Sequence, residues 1–262
     1  MLKAIFDNSI SVKNQNLIEH DKKESVRLNK YISDSGIVSR READRLIIQK
    51  KVKINGKIAE TGMQVLPSDI VTLDNKVISV KNKKVYLALN KPEGIVCITD
   101  TTIKNNIITF MDYKETIFPI GRLDKDSCGL ILLTNDGDIV NKILRSENNH
   151  DKEYYVEVDR AFDDDFVLKM ESGVTIYNPV THKNQKTLPS KVKRVSHKAF
   201  HLTINQGLNL QIRRMCKALG YHVNFLERIR IMNIHLKDLK KGHYRLLTED
   251  ELKDLNSSIN YK

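Results

Sequence analysis

The chain has 262 residues, 44 Lys and Arg against 33 Asp and Glu, and a formal net charge of +11. That length predicts one large or two unequal domains, and that charge favours a polyanionic partner. With 40% hydrophobic and 29% charged residues, the composition supports a sizeable core and excludes wholesale disorder.

The longest apolar runs, such as Leu130 to Leu133, fall far short of the ~20 residues that cross a bilayer, so no membrane partner is expected. The opening MLKAIFDNSISVKNQ lacks an apolar core followed by a small-residue cleavage site, so no secretion signal is read there. Cys97, Cys128 and Cys216 are odd in number and widely spaced, which fits free thiols in a reducing cytoplasm.

Residues 1–25 are rich in Asn, Lys and Asp and are expected to form a mobile tail. From Val26 the pattern sharpens. Leu28, Tyr31 and Ile32 repeat at helical spacing, and Ser35-Gly36 closes that helix. Ser39-Arg40-Arg41-Glu42 reads as a capping box, with Ala43, Leu46 and Ile47 as the apolar face behind it. Residues 51–58 alternate around Asn55-Gly56, a strong hairpin signal. Lys81-Asn82-Lys83-Lys84 then serves as a linker.

Beyond it a larger domain begins, with strands expected at Val85–Leu89, Gly129–Thr134, Tyr154–Val158, Phe200–Ile204 and His222–Ile231. Helices are expected after Asp136, after Asp163 and at Gln211–Leu219, and Thr248 to Glu251 caps a last one. The strands do not alternate regularly with helices. The fold class is therefore α+β, with a mixed, mostly antiparallel sheet.

Between Val26 and Glu60 nine basic side chains face four acidic ones. A helix opening on Ser39-Arg40-Arg41 offers free amides, a positive dipole end and two guanidinium groups, which suits phosphate. Arg27-Leu28-Asn29-Lys30, Ser39-Arg40-Arg41-Glu42-Ala43 and Val52-Lys53-Ile54-Asn55-Gly56 resemble the alpha-L motif, the RNA-binding module of small-subunit ribosomal protein S-four. The resemblance implies an RNA-binding domain over 26–80, with Arg27, Lys30, Arg40 and Arg41 as RNA contacts.

The segment Gly121-Arg122-Leu123-Asp124 runs through Gly129-Leu130-Ile131 to Asn135-Asp136-Gly137. By itself it reads as a turn exposing an arginine and a carboxylate, followed by a buried strand. As a whole string it closely resembles the signature of bacterial pseudouridine synthases of the RsuA-type ribosomal subfamily. Lys91-Pro92-Glu93-Gly94, Lys152-Glu153-Tyr154-Tyr155-Val156 and Gln211-Ile212-Arg213-Arg214-Met215 match that family's other motifs. The segment Leu226 to Asn233 looks most like the F-type large-subunit branch.

The resemblance implies isomerisation of uridine to pseudouridine in 23S ribosomal RNA, with transfer RNA as an additional or main substrate. A non-enzymatic RNA-binding assembly factor is the competing reading. The isomerisation needs no redox change and no energy source, so no cofactor is expected. The family assigns the reacting carboxylate to Asp124 and its neighbouring cation, which would lower its pKa, to Arg213. Tyr154 packs on the uracil. Arg122 fills the space left by a flipped base or holds a phosphate. Leu123, Lys125, Gln211 and Ile212 line the same RNA contact. Residues 81–252 form the catalytic domain, 253–262 a C-terminal tail, and the protein is expected to act as a cytoplasmic monomer. His197 and His201 read as surface histidines, and no metal site is expected. One departure stands out: Leu210 occupies a place where close relatives usually carry arginine.

Overall fold

In a computed structural model, the structure describes residues 3–7, 18, 25–80, 84–144 and 150–260. It opens with a short strand, β1 (Ile5–Phe6). The N-terminal module follows with β2 (Val26–Arg27), α1 (Leu28–Asp34), α2 (Arg40–Ile48), β3 (Val52–Ile54), β4 (Lys57–Ile58), β5 (Gln64–Val65), β6 (Val71–Leu73) and β7 (Lys76–Ile78). Four of these strands form a sheet in the order β4-β3-β6-β7, while β2 pairs with β5. Leu28 and Ile32 on α1, and Ala43 and Ile47 on α2, bury at i, i+4 spacing against Val52, Val65 and Val71. Each fully buried aliphatic side chain contributes roughly 1.5–3 kcal/mol, enough to hold so small a core. Asn55 and Gly56 both take positive φ, 50° and 80°, as a two-residue hairpin turn with the strands' own twist requires.

The capping box at Ser39 forms by half. Ser39 Oγ accepts the Glu42 N–H at 3.3 Å, but the Glu42 carboxylate turns forward to Arg45. The box at the last helix is reciprocal: Thr248 N–H donates to Glu251 at 2.9 Å and Glu251 N–H to Thr248 Oγ1 at 3.1 Å.

The larger domain contains β8 (Tyr86–Lys91), α3 (Ile107–Met111), β9 (Phe118–Ile120), β10 (Cys128–Thr134), α4 (Gly137–Leu144), β11 (Lys152–Val158), α5 (Asp164–Ser172), β12 (Thr175–Asn178), β13 (Lys183–Lys186), β14 (Lys191–Arg194), β15 (Ala199–Ile204), α6 (Gln211–Ala218), β16 (Val223–Ile231), β17 (Ile234–His235), β18 (His243–Leu246) and α7 (Glu249–Asn260). Its main sheet runs β1-β18-β8-β10-β16-β11-β15-β14. Among the described pairs in this sheet, β1 with β18 and β10 with β16 are parallel, and the rest are antiparallel. β8 and β10 are buried along their whole length. Leu87, Leu89, Ile131 and Leu133 feed one core; Tyr86, Ala88, Leu130 and Leu132 feed the other. Such strands read as continuous apolar runs because neither face meets water.

Two expectations about the ends are corrected. Residues 3–7 form no tail: the N–H groups of Ala4, Ile5 and Asp7 donate to Phe110, Gly242 and Tyr244, adding a parallel strand to the β18 edge. Ile18 is buried in the second core. The other residues before Ser25 lie outside the described set. At the far end, residues 253–260 continue α7 rather than fray. Leu252 and Leu255 are fully buried on one face, so packing carries the helix past its first turn. The linker expected at 81–84 falls mostly outside the described residues.

The module touches the larger domain at the start of α4. Lys30 Nζ lies 2.5 Å from Asp34 and 3.1 Å from Asp138. Thr116 Oγ1 donates to the Gly36 carbonyl at 2.7 Å.

Candidate active site

Asp124 lies on a turn between β9 and β10. Gly121 enters the turn at φ +80°, a left-handed conformation that glycine adopts without strain. Arg122 follows exposed, Leu123 buried and Asp124 half-buried. Three distant segments hold this turn. Leu123 N–H donates to Cys97 Sγ at 3.4 Å. Gly94 N–H, from the Lys-Pro-Glu-Gly turn, donates to the Lys125 carbonyl at 2.8 Å. Arg213, from α6, donates to the Asp126 carbonyl at 2.8 Å and to the Val223 carbonyl at 3.0 Å. Gly129 is required behind the turn: a Cβ there would sit 2.4 Å from the Arg228 carbonyl, where β10 and β16 approach.

The turn opens into a cleft of about 820 Å³. Of the sequence-predicted residues, Arg122, Leu123, Asp124, Tyr154, Gln211, Ile212 and Arg213 line it. Asp124 is the single carboxylate among the lining residues, beside Arg122, Lys152, Arg213 and Arg228. Tyr154 projects from β11 at 8% exposure, with Arg228 as its cross-strand partner.

Arg213 does lower the Asp124 pKa, as expected of the neighbouring cation, but it does not set the net direction. Burial raises that pKa above the ordinary carboxyl value and outweighs the opposing pull of Arg213, Arg122 and Lys91. Arg213 spends its hydrogen bonds on the Asp126 and Val223 carbonyls and on Ser127 Oγ. It acts on the carboxylate through space and through the shape of the turn.

Three further residues expected at the RNA contact are held as follows. Gln211 is 4% exposed, and its amide is committed inside the fold. Its Oε1 accepts the Leu208 N–H at 3.0 Å, and its Nε2 donates to Gln206 at 3.3 Å. It shapes the loop before α6 while still lining the cleft. Lys125 is exposed but stands outside the cleft wall. Lys30 is occupied by Asp34 and Asp138; these two carboxylates raise its pKa despite burial, which pulls the other way. Its ammonium docks the module instead of standing open to RNA. Arg27, Arg40 and Arg41 are exposed on the module, with the Arg40 guanidinium against Gly137 of α4.

Leu210 is exposed at the cleft wall, capping α6 in the left-handed region at φ 50°. Arg214 ties the neighbouring hairpin down by donating to the Tyr177 carbonyl. The three cysteines are buried free thiols, and burial pushes Cys128 and Cys216 up to about 12. His201 pairs with Glu153 at 3.2 Å.

Sequence reasoning missed three cations. Lys91 is completely buried behind the turn, donating to the carbonyls of Pro92 and Ile95. Lys152 and Arg228 face the cleft. All three stand in segments that carry the family resemblance, but a lysine or arginine in a string does not reveal which way it faces.

Comparison with known proteins places these features in a family. The model of RNA pseudouridylate synthase matches residues 85–218, and that of the S4 domain matches 26–71. The dual-specificity RNA pseudouridine synthase RluF of Shigella flexneri is 53% identical over 233 residues, spanning 88% of this chain and 78% of its own. Ribosomal large subunit pseudouridine synthase B of Bacillus subtilis is 35% identical, spanning 88% of this chain and 96% of its own. A solved pseudouridylate synthase superposes at TM-score 0.64 with 31% identity, covering 88% of this chain and 99% of its own.

The chain belongs to the RNA pseudouridylate synthase family and is a pseudouridine synthase with an N-terminal RNA-binding domain of the S-four type. Among the described residues no helix is long and apolar enough to cross a membrane.

Proposed function

We propose that the protein isomerises a uridine of 23S ribosomal RNA in the cytoplasm, acting as a single copy, with transfer RNA as a second substrate. The observation that carries the site assignment is one half-buried carboxylate, Asp124, in a cleft otherwise lined by neutral and cationic side chains. A base paired inside RNA cannot reach that depth, so the target nucleotide flips out before reaction.

Asp124 supplies the reacting carboxylate against the sugar or the base. Arg213 fixes the turn and sets the local field. Tyr154 packs against the uracil ring. Exposed Arg122 stands at the rim, placed to fill the vacated stack or hold a phosphate. The exposed Arg27, Arg40 and Arg41 give the module, which we place at residues 26–80, a phosphate-binding surface. The names of two similar relatives support this reading: one is a dual-specificity RNA enzyme, the other an enzyme of the large ribosomal subunit.

The test is to incubate the protein separately with ribosomal RNA and with bulk transfer RNA, then map pseudouridines by carbodiimide-dependent reverse-transcription stops. New stops in 23S RNA are expected, with a second set in transfer RNA. Stops in transfer RNA alone would overturn the ribosomal assignment.

A further inference from the structure

Arg228 stands on β16 directly across from Tyr154 on β11. The residue is 3% exposed in the floor of the same cleft. Two of its nitrogens are committed: Nε donates to the Leu130 carbonyl at 2.7 Å, and Nη1 to the Arg122 carbonyl at 3.3 Å. Nη2 is buried and has no partner among the described residues. Native interiors leave few such donors unpaired, and each one asks for an explanation.

Lys152 stands beside it. A register shift between Glu153 and Tyr154 sets Lys152 opposite Ile231 and Tyr154 opposite Arg228. Both cations line the cleft together with Tyr154. The Lys152 ammonium donates to the His150 carbonyl at 3.2 Å; burial lowers its pKa, and the Arg228 charge lowers it further. Arg228 has no carboxylate partner among the described residues, since its two bonds go to carbonyls. A water-poor wall with a fixed, unspent N–H is the arrangement that stabilises charge developing on an oxygen.

We propose that Arg228, with Lys152 beside it, binds a carbonyl oxygen of the target uracil and holds the negative charge that oxygen acquires during the reaction. When N1–C1′ breaks, the electron pair stays with the uracil and spreads from N1 onto O2 and O4. The ring then turns, C5 bonds to C1′, the C5 proton leaves, and N1 takes up a proton. Product and substrate are isomers, and no oxidant or co-reactant enters. The donor's place in the floor, across from Tyr154, favours a planar uracil edge over a bulky phosphate. The inference rests on the reading that seats the target uridine against Asp124 and Tyr154.

The test is a substitution cycle. Arg228→Gln, Arg228→Lys and the unaltered protein are each assayed on RNA carrying uridine, 2-thiouridine or 4-thiouridine at the mapped position. Sulfur is a poorer hydrogen-bond acceptor than oxygen. Arg228→Gln is expected to lower kcat about 100-fold with KM nearly unchanged, and Arg228→Lys to recover part of it. One of the two thio substrates is expected to slow the unaltered protein about ten-fold and to leave Arg228→Gln no slower than it already is.

Equal slowing of both proteins by both sulfur substitutions would overturn the proposal. So would a loss confined to KM with a flatter salt dependence, which marks a phosphate contact. Should Arg228→Gln fail to fold, Lys152→Met goes through the same cycle, with the same non-additivity expected and additivity overturning the proposal. Asp124→Asn is run alongside: activity retained there would instead remove the underlying reading of the site.

Discussion

Arg213 Nη2 donates to the carbonyl of Asp126 at 2.8 Å, two residues beyond Asp124. Its Nη1 reaches the Val223 carbonyl at 3.0 Å. One planar fork thus joins α6, β16 and the turn that carries the carboxylate. A lysine keeps the charge but cannot span both acceptors. Arg213→Lys is therefore expected to lower kcat about 100-fold through a misplaced turn. It also loses about 1.5–3 kcal/mol of stability with the missing bond. Single-turnover kinetics and thermal melting check the two effects separately; full activity in the variant would show that position matters less than charge.

How far the sequence reached is visible around this fork. The strings around Asp124 and Arg213 are local and were legible, as were the long buried strands and the Asn55-Gly56 turn. What stayed hidden depends on partners far along the chain. Gln211 reads as a free polar side chain until Leu208 and Gln206 are seen to occupy its amide. Lys30 reads as an RNA contact until Asp138 arrives from α4. β1 has only two residues, and its pairing comes from β18, more than 230 positions later. The β12–β13 hairpin is largely exposed, so its residues carry no buried alternation to read.

Asp124 ties activity to a cost in stability. Burial raises its pKa above 3.8, so folding disfavours the charged form. The wild-type protein accordingly loses stability as pH rises from the unfolded pKa through the folded one. Asparagine carries no charge and escapes it. Asp124→Asn is expected to abolish pseudouridine formation while keeping RNA binding within several-fold. It should melt higher than wild type at pH 7, with the gap closing as pH falls below the ordinary carboxyl value. Melting across a pH series together with an activity assay reads both; a lower melting temperature at pH 7 would contradict the burial argument. The acid limb of wild-type activity should also lie above the usual carboxylate range.

The N-terminal module has its own core, built wholly from residues between Leu28 and Ile78 and packed on by neighbours within the same stretch. Removing residues 1–80 is expected to leave a folded catalytic domain that binds RNA more weakly. Its salt dependence should flatten, because fewer phosphates are neutralised. The truncated chain should also melt below the full chain. It loses the β1 edge strand and the contacts of Lys30 with Asp138 and of Gly36 with Thr116. Binding measured across a salt series and a melting curve test this; an unchanged slope would count against RNA binding by the module.

A leucine at position 210, where close relatives usually carry arginine, could pack in the core or face the cleft. The structure favours the second: it is 36% exposed and lines the cleft. It caps α6 at φ 50° and ψ 30° without a side-chain hydrogen bond, so replacing the side chain breaks no polar contact. Arginine and leucine share the same β-carbon strain in the left-handed region, so that cost does not change between them. Leu210→Arg is expected to keep the melting temperature and tighten RNA binding by about 1 kcal/mol, steepening the salt dependence by about one charge. The new guanidinium would join Arg122 and Arg213 on a wall that holds only one carboxylate. Affinity and melting temperature measured together decide the matter. A destabilised variant with no gain in affinity would mean that the leucine packs for the fold, and that no RNA phosphate passes this point of the cleft wall.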